Sequence, residues 1–314
     1  MTTQTLATAA LARDECRREI ERLCVFEWHW GVPEETRIEL LRAHQNRSTF
    51  DIAVRTGSAW HELIGKVYTE DRADVFQTMC AVARAGFGPE AECSIPQPFA
   101  YLPTLGVRLE ERVEGPSVDE VIRTGGPAAW TTAAARCGTW LGRFHRAAPR
   151  PEHGHDLAAK LAHNREATTR MPSLRHKAEA LLARLEDLLP LAAAVPRCAG
   201  HGSYIPDHVI LSGGRTTVID LDDYDAADPS RDVAWFWVSL QRRVIRVAGF
   251  AHASDDAAAA FLRAYEASGP PAALANLALY RALMYLSRAR RDLYKGKSDL
   301  AELMLDQALN LVSA

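Results

Sequence analysis

Apolar side chains Leu11, Cys16, Ile20, Leu23 and Cys24 recur at helical spacing between residues 7 and 27, which predicts an amphipathic helix at the start of the chain. From Thr36 to Tyr68 the pattern changes. Short stretches rich in β-branched and aromatic residues, "STFDIAVRT" and "HELIGKVY", flank the turn-forming "TGSAW", and this predicts a hairpin or meander. "DRADVFQTMCAVARAGF" then reads as a helix with an acidic first turn and Gly86 close to its stop. Strand texture resumes in "FAYLPTL" and "VRLEERVEG". Residues 1–115 are therefore expected to form an N-terminal helix and a small α+β lobe with an antiparallel sheet.

After "EGPS" the periodicity is almost entirely helical, as in "PAAWTTAAARCGTWLGRFHRA" and "LRHKAEALLARLEDLL". The only later strand signals are "HVILS" and "TTVIDL", joined by "GGR" in a predicted hairpin. Helical segments dominate again from Asp232 to the end. The fold class expected is α+β, with a mainly helical lobe over residues 116–314 that carries one embedded hairpin. Ligands favour clefts between such bodies, so a small-molecule ligand is expected between the lobes.

Composition removes several classes of function. A formal net charge of -3 leaves no basic footprint for nucleic acid. The longest apolar runs, such as "LLPLAAAV", are far too short to span a membrane. The first residues turn charged within a few turns and show no cleavage signature, so a cytoplasmic location is expected. Six cysteines at wide spacing contain no C-x-x-C pair, and reduced, mostly buried thiols are expected rather than a zinc or redox site.

Two features carry chemistry. Lys66 stands between Ile64 and Val67 in "LIGKVY", an apolar strand where a buried ammonium needs an anionic partner; the alternative is an edge lysine whose head reaches water. "VIDLDDYDAADP" ends a strand with Asp220 and adds four further aspartates, and a carboxylate at a strand mouth suits Mg²⁺ beside a phosphate. An EF-hand is excluded by the absence of its glycine and closing glutamate. "GHGSYI" does not satisfy the G-x-S-x-G pattern of serine hydrolases.

The order Lys66, "LEERVEG", "LGRFHRA", "HGSYIPDHVIL", "VIDLDDYDAADPSRDVA" resembles the aminoglycoside phosphotransferase family, relatives of choline kinase and the protein kinases. The usual loop of that family reads H-G-D-x-x-x-x-N, followed by a strand, a turn, an I-D pair and, a short way on, D-P-x-x-D. His201, Gly202, Asp220, Asp228, Pro229 and Asp232 match it, and Pro206 stands at one of the variable positions of the loop. The resemblance implies a bilobal protein-kinase-like fold with ATP in the cleft. It implies that Lys66 holds the nucleotide phosphates and that the backbone of Glu110, Glu111, Arg112 and Val113 receives the adenine. Asp220 would bind Mg²⁺, and Asp232 would brace the catalytic loop.

Four parts depart from that pattern. Ser203 stands where the family has the aspartate that orients the substrate hydroxyl, and a serine is no anionic acceptor at pH 7. His208 replaces the asparagine that offers oxygen to the metal, and imidazole suits Zn²⁺, Cu²⁺ or Ni²⁺ better than Mg²⁺. The helix after Lys66 has no glutamate, which leaves Asp71, Asp74 or Gln77 as its partner, and "AHQNRSTF" lacks the glycines of a phosphate loop. Asp207, and Asp222 or Asp223, are candidate substitutes for the lost carboxylate, with His201 and Ser203 beside them. Residues 233–314 carry ten Lys and Arg against seven Asp and Glu, which speaks against a polycationic aminoglycoside as substrate. Three functions stay open: an ATP-dependent small-molecule phosphotransferase with a rearranged base, a catalytically degenerate protein that binds a nucleotide, a metabolite or a partner enzyme, and a cleft reused for other chemistry on a natural product.

Overall fold

The computed structural model describes residues 3–312 apart from residues 45, 155, 169, 170, 193 and 272, and the side chains of 3–13 and 167 are also outside the description. It divides into two units, Met1–Glu114 and Gly115–Ala314.

The first unit begins with helix α1 (Thr3–Phe26), followed by strands β1 (Glu35–Ala43), β2 (Arg47–Thr56) and β3 (Ala59–Tyr68). Helix α2 (Ala73–Val82), the two-residue β4 (Cys93–Ser94), β5 (Pro98–Leu102) and β6 (Val107–Glu111) complete it. The sheet is antiparallel, in the order β1-β2-β3-β6-β5. Because side chains alternate along a strand, one face collects Phe50, Ile52, Val54, Leu63, Val107 and Leu109, and α1 covers it with Cys16, Ile20, Leu23 and Cys24. Each large side chain buried there stabilises the unit by about 1.5–3 kcal/mol. Leu11, expected on the same helical face, lies outside the described side chains. The register that faces Gly65 to Leu109 places Lys66 opposite Arg108 and Ile64 opposite Glu110, so two cations and a carboxylate share the other face. α2 is shorter than the periodicity predicts: the chain leaves α geometry after Val82 and turns at Gly86, whose φ of 105° is strained for any residue with a side chain.

The second unit comprises α3 (Val118–Thr124), α4 (Pro127–Ala147), α5 (Leu157–Thr168), α6 (Arg175–Leu188), β7 (Cys198–Gly200), β8 (Val209–Ser212), β9 (Arg215–Val218), β10 (Asp225–Ala227), α7 (Ser230–Ala248), α8 (Asp255–Ser268), α9 (Leu277–Tyr294) and α10 (Ser298–Val312). Ser117 caps α3 by accepting from the Glu120 N–H. α4 and α8 approach closely because α4 carries glycine on the contact: a Cβ at Gly138 would lie 2.1 Å from the Phe261 carbonyl oxygen. The larger core joins α6, α7, α9 and α10 through Leu181, Leu185, Val238, Leu283, Tyr285 and Leu305. β8 and β9 form the expected hairpin. β7 pairs with β10, a ladder absent from the sequence expectation because three residues are too few to show alternation. No described helix is long and apolar enough to cross a membrane, and all six cysteines are free.

Candidate active site

In the first unit Lys66 is 6% exposed and its Nζ lies 3.0 Å from Glu110 Oε1. The other oxygen of Glu110 accepts from Arg108 Nε at 3.0 Å, and Arg108 is fully buried. One carboxylate thus serves two buried cations. One partner of Lys66 comes from the neighbouring strand, whereas the sequence pointed to the α2 region. There, Asp71 accepts from the Tyr101 hydroxyl and the Ala73 N–H, Asp74 accepts from Arg72, and Gln77 is exposed. Past Glu110 the backbone is engaged in the sheet. Glu111 N donates to Gln97 O at 2.9 Å and Arg112 N to Glu62 O at 3.4 Å, and Val113 follows half-buried.

In the second unit two loops meet at the start of α7. The first runs from His201 to His208 between β7 and β8. Asp232, in the first turn of α7, holds it by accepting from His201 N at 2.6 Å and Gly202 N at 3.1 Å. Arg231 Nε donates to the same carboxylate at 3.2 Å, and His145 Nε2 stands 3.4 Å away. Burial works against the charge on Asp232, but the Arg231 guanidinium, with the hydrogen bond from His145, holds its carboxyl well below the usual range. Gly202 is required by geometry: its φ is 80°, and a Cβ there would fall 2.2 Å from the Asp223 carbonyl oxygen.

His201 is fully buried beside Trp140, Phe144 and Tyr204. Its Nε2 faces the Ile219 carbonyl oxygen at 3.1 Å, so Nε2 carries the proton and Nδ1 is the acceptor. Burial pushes its pKa down to about 4, which leaves the ring neutral at pH 7. Ser203 Oγ is 3.5 Å from that Nδ1, with Ser203 N at 3.4 Å. Such a long contact to so weak a base does not make the serine a nucleophile.

The second loop follows β9. Asp220 adopts φ 72° and ψ 61°, a left-handed conformation uncommon for a residue with a side chain and typical of functional turns. His208 Nδ1 donates to the Ser203 carbonyl at 2.9 Å, which turns its Nε2 toward Asp220 Oδ2, 3.7 Å away. Asp222 is half-buried in the short turn after Asp220. Asp228 accepts from Ser230 N at 2.8 Å and from Asn276 Nδ2 at 2.6 Å, fixing the entry to α7. Asp207 is engaged elsewhere: both its oxygens accept from Arg243 Nη2 at 2.7 Å, and Arg243 Nε reaches Asp119 at 2.9 Å.

The sequence matches the phosphotransferase enzyme family (APH) over residues 42–280, about three quarters of the chain. The chain belongs to that family. Solved structures with similar folds include a choline/ethanolamine kinase family protein from Mesorhizobium loti (18% identity, 96% of this chain and 95% of that one, TM-score 0.58). A choline kinase from Cryptosporidium parvum aligns at 12% identity over 94% of this chain and 95% of that one, with a TM-score of 0.60. A spectinomycin phosphotransferase in complex with ADP and spectinomycin aligns at 12% identity over 95% and 97%, with a TM-score of 0.61. A search of curated protein sequences found no match.

These relatives show a kinase-like fold for the phosphotransferase-family chain, in agreement with the α+β expectation. Ser203, His201, Asp207, His208, Asp220 and Asp222 fall in the two loops of the second unit, and within them His201, Ser203, His208 and Asp220 approach one another. Lys66 and Glu110 meet in the first unit through their side chains, a contact the sequence reading missed because it assigned Glu110 a backbone role. Arg231, Asp225 and His145 were missed as well. Arg231 Nη1 donates to Asp225 Oδ2 at 2.6 Å, and the charged run "SRD" opening an apolar helix was the available signal.

Proposed function

We propose that this chain transfers a phosphoryl group from ATP to a hydroxyl of a small molecule, through a site that lacks the usual carboxylate base. The observation that carries the reading is the braced loop: Asp232 fixes the His201 and Gly202 amides while Asp220 presents its carboxylate from a left-handed turn. Phosphoryl transfer relies chiefly on positioning and electrostatics, which this framework supplies without a base at position 203.

The donor set suits one Mg²⁺. That ion commonly takes one or two carboxylates and fills its remaining positions with phosphate and water, and Asp220 offers such a ligand. The imidazole of His208 is a poor Mg²⁺ ligand, and among the described residues no cluster of three metal-ligating side chains occurs. When bound, the ion would neutralise charge developing on the phosphoryl oxygens. Lys66 would act on the nucleotide phosphates as a fixed cation, positioned by Glu110. The neutral His201 ring would keep the Ile219 and Ser203 backbones in place.

A second reading, nucleotide binding without transfer, is favoured by Ser203 and by the engagement of Asp207 with Arg243. Measuring ADP release with Mg²⁺-ATP and a panel of hydroxylated acceptors separates the two. The phosphotransferase reading predicts acceptor-stimulated ADP release that Asp220→Asn abolishes. ATP binding with no release under any acceptor would support the second reading instead.

A further inference from the structure

A cavity of about 640 Å³ opens inside the second unit, walled by α5, the turn at Pro172–Ser173, Trp235 of α7 and the last turns of α9. That volume falls in the range of small-molecule sites. Its charge is one-sided. Lys160, Arg288, Arg290 and Arg291 line it against a single carboxylate, Glu166. None of the four cations forms an ion pair with a carboxylate among the described residues. Elsewhere in the unit such pairs are common: Arg231 with Asp225 and Asp232, Arg242 with Asp292, Arg243 with Asp119 and Asp207, and Lys177 with Glu302 and Asp306. Unmatched cations gathered on a concave wall cost stability unless an anion offsets them.

The surroundings sharpen this. Arg288 lies over the Trp235 ring at 5.2 Å and spends one donor on Ser239 Oγ at 3.0 Å. Burial, with the neighbouring Arg291, Arg242 and Arg243, pushes its pKa down to about 10. Burial and Arg290 lower that of Lys160 too, while the charge of Asp223, three residues beyond Asp220, raises it. Lys160 therefore stands within electrostatic reach of the loop that carries the metal ligand. Trp235 and Tyr294 supply aromatic surface beside the cations.

We infer that this cavity binds the acceptor as an anion: a hydroxylated small molecule whose carboxylate or phosphate groups are held by Lys160, Arg288, Arg290 and Arg291. Its role as acceptor site rests on the phosphotransferase reading, but the binding of anions does not. Arg288 and Arg290 can each grip a carboxylate or a phosphate through two parallel hydrogen bonds, and Lys160 adds a point charge.

The test is calorimetry on the full chain without nucleotide or metal, using citrate and glucose 6-phosphate as anionic probes and kanamycin as a cationic one. At least one anion should bind and weaken with rising salt, and kanamycin should not bind. Lys160→Gln and Arg290→Gln should each weaken the anion at least about tenfold while leaving the thermal midpoint unchanged or higher, because each removes a self-repelling cation. The better anion tells carboxylate from phosphate. No binding of either anion at millimolar concentration, or binding that both variants retain, overturns the inference. Anion binding without acceptor-stimulated ADP release from any acceptor would leave the cavity standing and sink the phosphotransferase reading alone.

Discussion

At position 203 the question is what a hydroxyl does where a carboxylate would orient the acceptor. Ser203 Oγ meets the edge of a neutral, buried imidazole, and the nearest carboxylate in sequence, Asp207, is clamped by Arg243. His208 has likewise turned one nitrogen to the Ser203 backbone carbonyl and the other toward Asp220. Restoring both at once is the informative change. Ser203→Asp with His208→Asn should raise basal ATP turnover, by up to about 10²-fold, since a general base typically contributes about 10²- to 10⁴-fold. Steady-state ADP release checks this, and an unchanged rate would mean that the site has diverged beyond these two positions. The substitutions themselves were legible in the sequence, because the spacing around them is intact. The contact of Lys66 with Glu110 was not: it arises through strand register, a long-range relation that no local pattern encodes.

At the scale of elements, the junction of α7 with the loop after β7 is fixed by groups whose protonation states folding sets. Asp232 is charged and buried, and its lowered pKa contributes stability that is present above the ordinary carboxylate pKa and lost as pH falls below it. His201 is buried neutral, with its pKa moved from 6.5 to about 4. The unfolded chain binds that proton first, so His201 withdraws stability as pH falls from about 6.5 to about 4, by roughly 3 kcal/mol in total. The thermal midpoint should therefore drop between pH 7.5 and pH 5, and His201→Asn should flatten that drop. Equal slopes in both proteins would contradict the burial argument. Long helices and the β8–β9 hairpin were readable from periodicity and turn residues. β7 and β10 were not, since their pairing depends on where the flanking loops are anchored rather than on three residues of each.

At the scale of the whole molecule, each unit gathers cations at a site: Lys66 and Arg108 beside Glu110 in the first, the cationic cavity in the second. The formal net charge of the chain is nonetheless -3. Local charge opposed to the global balance is the pattern expected of a protein that holds anions at defined places. The excess of basic residues after Val233 was visible in the sequence, but its concentration on one concave wall needed the packing of α5 against α9. The most direct test of the account is calorimetric titration of the protein with Mg²⁺-ATP, beside the same titration of Asp220→Asn and Lys66→Met. The account predicts saturable binding by the parent chain, weakened at least about tenfold in either variant. No binding at millimolar Mg²⁺-ATP, or binding that both variants keep unchanged, would contradict it.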